Sequence, residues 1–194
     1  MSAHTNDTAG PLSTEMITQL VAARDQAEPV RRAARFVGFY SRLMVIGAAI
    51  IALFAFNQSD TPGMILAGLM VALAVHQMKM AGSLRSMNPA AVKGLVVSHA
   101  LVAFAFVGYA AWDQFSPGVA PLVSKAHAAT ASNLPFEVPA GMTKYIGTAT
   151  FVLAAVGLQT LAILYINAQK RTIGSFSTHS APWVNDLFRR GVMG

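Results

Sequence analysis

Residues 36–56, FVGFYSRLMVIGAAIIALFAF, carry one charged side chain, Arg42, in an otherwise apolar run. A helix rises about 1.5 Å per residue, so about 20 apolar residues match a hydrocarbon core of about 30 Å. In lipid every backbone N–H and C=O must be paired within the segment, so a run of this length reads as a membrane-spanning helix. Working outward, three more apolar runs follow, at residues 63–78, 94–112 and 145 to about 168. The third helix is expected to begin at Pro89, ahead of its apolar run.

The sequence therefore predicts an all-α fold: an integral membrane four-helix transmembrane bundle with short cytosolic or interfacial amphipathic helices at both termini. The expected organisation is a cytosolic N-terminal segment over 1–35, a transmembrane domain over 36–169, and a cytosolic tail over 170–194. The spans fall at about 36–56, 63–78, 89–112 and 145–169, with an outer loop over 113–144. The second run, GMILAGLMVALAVHQM, is short for a bilayer. It demands that Lys79 snorkel to the interface or that the bilayer thin locally, and its alternative is a buried or re-entrant helix.

Composition supports this class. Hydrophobic residues make up 54% of the 194 and charged residues 11%, about half the charge of an ordinary globular domain. The chain has no cysteine, which excludes disulfides, thiolate metal sites and a cysteine nucleophile. The net charge of +6 does not point to nucleic acid, because the basic residues gather at the ends of apolar runs. Arg24, Arg31, Arg32, Arg35, Arg42, Lys79, Arg85, Lys93, Lys170, Arg171, Arg189 and Arg190 fall on one side of the predicted membrane; only Lys125 and Lys144 fall on the other. By the positive-inside rule both termini face the cytosol, and anionic lipid headgroups are expected partners there. No cleavable signal peptide or organellar transit peptide is read in the first 35 residues, so a bacterial inner membrane is the expected location.

Helix boundaries are marked in the usual chemistry. Asp60-Thr61-Pro62 sets a capping side chain before a first-turn proline, and Asn88-Pro89 repeats the arrangement. Residues 57–60, NQSD, make a tight turn, so the first two spans should be antiparallel neighbours. Residues 1–11 read as disordered. From Ser13 a helix is predicted with Met16, Ile17, Leu20 and Val21 as an apolar stripe, broken or kinked at Pro29. It either lies on the membrane or a partner, or packs on the protein's own loops. The outer loop places Pro117, Pro121, Pro135 and Pro139 among apolar residues, as in a segment that lies against its own bundle or a neighbour. Near the C-terminus Ser180 is expected to cap a short helix starting at Pro182.

Aromatic side chains should anchor the interfaces: Tyr40 and Tyr165 on one side, Tyr109, Trp112 and Tyr145 on the other, with Trp183, Leu187 and Phe188 of the tail helix in the headgroup region. Small residues suit close helix packing. Gly94, Ser98, Ala105 and Gly108 share a face of the third span, and Gly147, Thr150, Ala154 and Gly157 a face of the fourth. Gln77, Ser98, Gln159 and Asn167 read as interhelical hydrogen-bond partners, worth about 0.6 kcal/mol each.

No Asp or Glu lies within the four spans, which weighs against a proton-driven pump or a carboxylate-lined cation site. His76 and His99 lie at depths about 5 Å apart if the second and third spans are adjacent. Two facing imidazoles can hold a b-type haem by its axial positions. Gly68, Ala72 and Ala103 would leave room for the macrocycle, and Lys79, Arg85 and Lys93 would meet its propionates. The simpler expectation is no cofactor, each histidine serving a helix–helix contact or the interface. No catalytic residue and no metal site is read. Three functions follow: a non-catalytic subunit or scaffold of a larger respiratory, photosynthetic or secretion-type membrane assembly, with other integral membrane subunits or copies of itself as partners; a haem-bearing electron-transfer subunit; or a small transporter or channel, disfavoured by the lack of broken helices.

Overall fold

The computed structural model describes residues 13–115 and 140–190. Their element order is α1 Thr14–Asn57, α2 Thr61–Arg85, α3 Pro89–Phe115, α4 Ala140–His179 and α5 Pro182–Arg189. Four of these helices are long and apolar enough to cross a membrane. The protein is an all-α, multi-pass membrane bundle, and the described residues contain no strand.

The helix starts follow the expected chemistry. The Ser13 side chain accepts from the Met16 N–H at 3.2 Å, and Asp60 accepts from Gly63 N–H at 3.1 Å with a proline in the first turn. Asn88 Oδ1 accepts from Ala90 N–H at 3.0 Å, opening α3. Both tight turns contain a non-glycine residue at positive φ, Ser59 at 55° and Met87 at 56°. Such a residue costs about 1–2 kcal/mol; at Met87 the burial of its side chain offsets that cost.

Several expectations are corrected. α2 has 25 residues without interruption, about 37 Å of helix. Its polar C-terminal turns, exposed Lys79 among them, continue the helix beyond the apolar run, which keeps its short length and its demand that Lys79 snorkel or the bilayer thin. Pro29 does not end the first helix: α1 runs 44 residues through it. The missing hydrogen bond costs about 3 kcal/mol, but Pro29 itself is exposed while Ala27, Val30, Ala33 and Ala34 in the adjoining turns are buried, and their packing offsets that cost. The N-terminal segment is thus a continuation of the first span that packs on the protein's own elements. Of its early stripe, Leu20 packs against the core while Met16, Ile17 and Val21 stay exposed. At the other terminus the cap position of α5 is Ala181, with no side-chain cap bond, because Pro182 sets the helix register one residue past Ser180. The disordered reading of residues 1–11 and the prolines of the outer loop lie outside the described residues.

The bundle has two apolar clusters. At the end that carries the start of α1 and the end of α4, here the basic end, Ala27, Val30, Ala34 and Val37 pack with Ala81, Leu84, Leu95, Ile166, Phe176, Val184 and Phe188. Towards the opposite end Met44 and Ala48 pack with Leu66, Met70, Ala74, Val102 and Tyr109. Along α1, α2 and α3 the same interval separates them: residues 38–43, 75–80 and 96–101.

Candidate functional site

That interval holds a group of buried polar side chains. Tyr40 and Ser41 of α1, Gln77 of α2, Ser98 and His99 of α3 and Gln159 of α4 meet there; all but Tyr40 are fully or almost fully buried. Two linked groups cross the bundle. His99 Nδ1 lies 2.7 Å from Gln159 Oε1, and Gln159 Nε2 donates to the Tyr40 hydroxyl. The Tyr40 and His99 rings also touch, with centroids 5.4 Å apart. The Ser41 hydroxyl lies 2.7 Å from the Val37 carbonyl and 3.2 Å from Gln77 Oε1, and its single proton serves one acceptor at a time.

The orientation of the Gln159 amide fixes the chemistry of the histidine. With Nε2 committed to Tyr40, Oε1 accepts, so His99 Nδ1 carries the proton and Nε2 presents a lone pair. That Nε2 is buried with no hydrogen-bond partner, as are Gln77 Nε2 and Ser98 Oγ. An unmet polar atom in an apolar interior costs about 1–3 kcal/mol. Three of them concentrated in a layer one or two helical turns deep set this layer apart from the apolar packing above and below.

The two histidines do not share an environment. His99 is fully buried. His76 lies on an exposed face of α2, its Nε2 3.6 Å from the point where a Cβ on Gly94 would sit. Gly94 and His99 are five positions apart on α3, about 7.5 Å along and about 140° around the helix. The rings therefore lie against different sides of α3. Gly94 is packed more closely than any helical surface requires, since an added Cβ would stand 2.9 Å from Met80 Sδ.

The other expected site residues divide. Ser98 is buried and Ala105 half-buried, whereas Gly108 faces an open apolar groove between α2 and α3 shared with Ile65, Leu69 and Trp112. On α4, Gly147 is half-buried, while Thr150, Ala154 and Gly157 are exposed. Trp112 and Tyr145 are exposed at the end opposite the termini. Trp183 is half-buried. Phe188, expected at the membrane interface, instead fills the protein's own core: its ring meets Phe176 edge-on at 4.9 Å, and its exposure is 1%. Tyr40 points into the polar layer, and Asn167 lies on the exposed side of α4. Sequence reading singled out Gln77, Ser98, His99 and Gln159 separately but did not join them, and it assigned Tyr40 to the aromatic belt at the membrane interface. No common spacing marks them in the sequence, because the helices project unequally at the basic end: Gln77 lies eight positions from Arg85, whereas Gln159 lies twenty from His179.

A second polar contact closes the opposite end. Asp60, 2% exposed, caps α2 and accepts from the Tyr109 hydroxyl at 2.9 Å. No protein-family model, curated protein or solved structure matches this chain.

Proposed function

We propose that the protein is a non-catalytic subunit or scaffold of a larger membrane assembly, in a bacterial inner membrane with both termini cytosolic. The orientation rests on the twelve basic residues gathered at one end. The carrying observation for the subunit role is the outer face of α4. Only 17% of its most apolar window is buried, the smallest share among the four spans. Thr150, Ala154 and Gly157 are exposed there at helical spacing, and helical geometry places exposed Leu153, Leu158 and Leu161 around them. A backbone-lined trough with leucine rims suits a second helix, because in lipid close packing drives association where hydrophobicity does not.

The test uses a substitution that the isolated bundle tolerates. A Cβ on Gly157 meets no atom within 4 Å, so Gly157→Leu is expected to change thermal stability by less than about 0.5 kcal/mol. The same variant should abolish co-purification of the partner subunits in mild detergent, or of a second copy of this chain. A wild-type protein that runs as a lone monomer, or a partner that remains bound to Gly157→Leu, would sink the reading.

A second reading, a b-type haem subunit, is favoured by one observation: His99 presents an unpartnered Nε2 while Nδ1–H is anchored on a carboxamide, the outer hydrogen bond that orients ligating histidines. Pairing with His76 would require α2 to turn its exposed imidazole across α3. A Soret band lost in His99→Ala supports this reading, and a colourless purified protein removes it.

A further inference from the structure

Independently of the subunit reading, the basic end contains a formed groove. Arg24, Glu28, Arg31 and Arg35 follow one another on α1 at intervals of four, three and four residues, one face of the helix. With Arg85 in the last turn of α2 they line a cavity of about 450 Å³, a volume in the range of small-molecule sites. Four guanidinium groups against one carboxylate leave a strong positive excess. Glu28 is already engaged: its oxygen lies 3.1 Å from Arg32 Nε and 2.8 Å from an Arg35 guanidinium nitrogen. The hydrogen bond from Arg32, with Arg35 beside it, holds this carboxyl below the usual range, so it stays ionised and occupied. Among the described residues no carboxylate lies within ion-pair distance of Arg24, Arg31 or Arg85.

Arg31 is the organised member. Its guanidinium carbon sits 5.6 Å from the centroid of the Phe188 ring, and its Nε is buried without a partner. A guanidinium braced on an aromatic ring has lost much of its rotamer freedom before any ligand arrives. The brace comes from α5, so the tail helix prepares the groove.

We propose that this groove binds a phosphate group, held by Arg31 and Arg85 with Arg24 and Arg35 beside them. Planar guanidinium donors match phosphate oxygens in pairs. Arg35 adjoins the first residue of span one, so one end of the groove opens at headgroup level. The other end, at Arg24, stands about 16 Å farther along α1. The phosphate therefore belongs either to an anionic phospholipid of the surrounding membrane or to a soluble phosphorylated compound.

The full chain, purified in neutral detergent, is titrated separately with phosphatidylglycerol, phosphatidylcholine and inorganic phosphate, with bound lipid read by native mass spectrometry and phosphate by shift in melting temperature. Phosphatidylglycerol should bind in preference to phosphatidylcholine, or inorganic phosphate should stabilise the protein; the first identifies a headgroup and the second a soluble source. In either case Arg85→Gln and Arg31→Gln should each weaken binding about tenfold, while Arg189→Gln, an equal loss of charge outside the groove, should leave it unchanged. Arg85 is exposed and packs no core, so its variant decides the outcome if Arg31→Gln does not fold. Equal weakening by all three variants would mean diffuse attraction and overturn the site, as would no binding of either probe by the wild type.

Discussion

At the scale of single residues the tightest constraint is at Gly63. It is buried in the first turn of α2, where an added Cβ would collide with the Asp60 carboxylate and press on the Ala55 methyl at 3.0 Å. Asp60 is the cap of α2 and the acceptor of the Tyr109 hydroxyl, so displacing it loosens two helix junctions together. Gly63→Ala should therefore destabilise the protein by about 1–3 kcal/mol, read as a lower midpoint in thermal unfolding in detergent. An unchanged midpoint would show that Asp60 can move without loss. Asp60-Thr61-Pro62 was legible as a helix start because capping is local chemistry. The need for glycine at 63 was not, since it arises from the Asp60 carboxylate oxygen held by Tyr109 and from the close return of α1 at Ala55. The polar layer teaches the same lesson: the residue types were visible, but a link such as Tyr40 to Gln159 spans 119 positions, and nothing local in sequence specifies it.

At the scale of elements α5 shows where periodicity stops informing. Its apolar side was plain from Trp183, Val184, Leu187 and Phe188, but an amphipathic pattern fits lipid and protein equally well. The structure assigns it to protein: Val184 and Phe188 are buried with Phe176 and Val30. This contact lies in the part of α1 and α4 that continues past the apolar runs, and burial of a large side chain away from water contributes about 1.5–3 kcal/mol. Removing the Phe188 ring should cost about 3–5 kcal/mol at that junction, more than an eight-residue helix recovers elsewhere. Phe188→Ala should release α5 while the four long helices persist. The expected signs are protease cleavage near residues 180–182 and a red shift of Trp183 fluorescence, measured in a Trp112→Phe background. Retained protection of the tail would mean that Val184 and Trp183 suffice. Pro29 carries the complementary point for α1, since a residue that ends isolated helices is overridden when the turns around it are packed.

At the scale of the whole molecule hydropathy and charge were the legible quantities, because both are sums over many residues and survive local misreadings. The four spanning helices and their apolar runs were plain; how far α1 and α4 continue beyond them was not, since those continuations are polar on one side and helical for reasons of packing. The charge sum yields an orientation that can be measured directly in a chain with no native cysteine. Asn57 ends α1 at the end opposite the termini and is exposed, while Asp25, Ala90 and Ser175 are exposed at the basic end. Single cysteines at these four positions, treated in intact cells with a charged maleimide that does not cross the membrane, should give labelling at Asn57→Cys alone; the other three should react only after the membrane is opened. The contrast rests on the cost of moving the basic end across a bilayer: arginine and lysine disfavour translocation, and here they crowd the ends of all four spans on one side. Labelling of Asp25→Cys, Ala90→Cys and Ser175→Cys in intact cells, with Asn57→Cys protected, would invert the bundle. Any mixture of the two patterns among the three basic-end positions would break the four-span arrangement itself, because α1, α3 and α4 each place one of those residues at the same end.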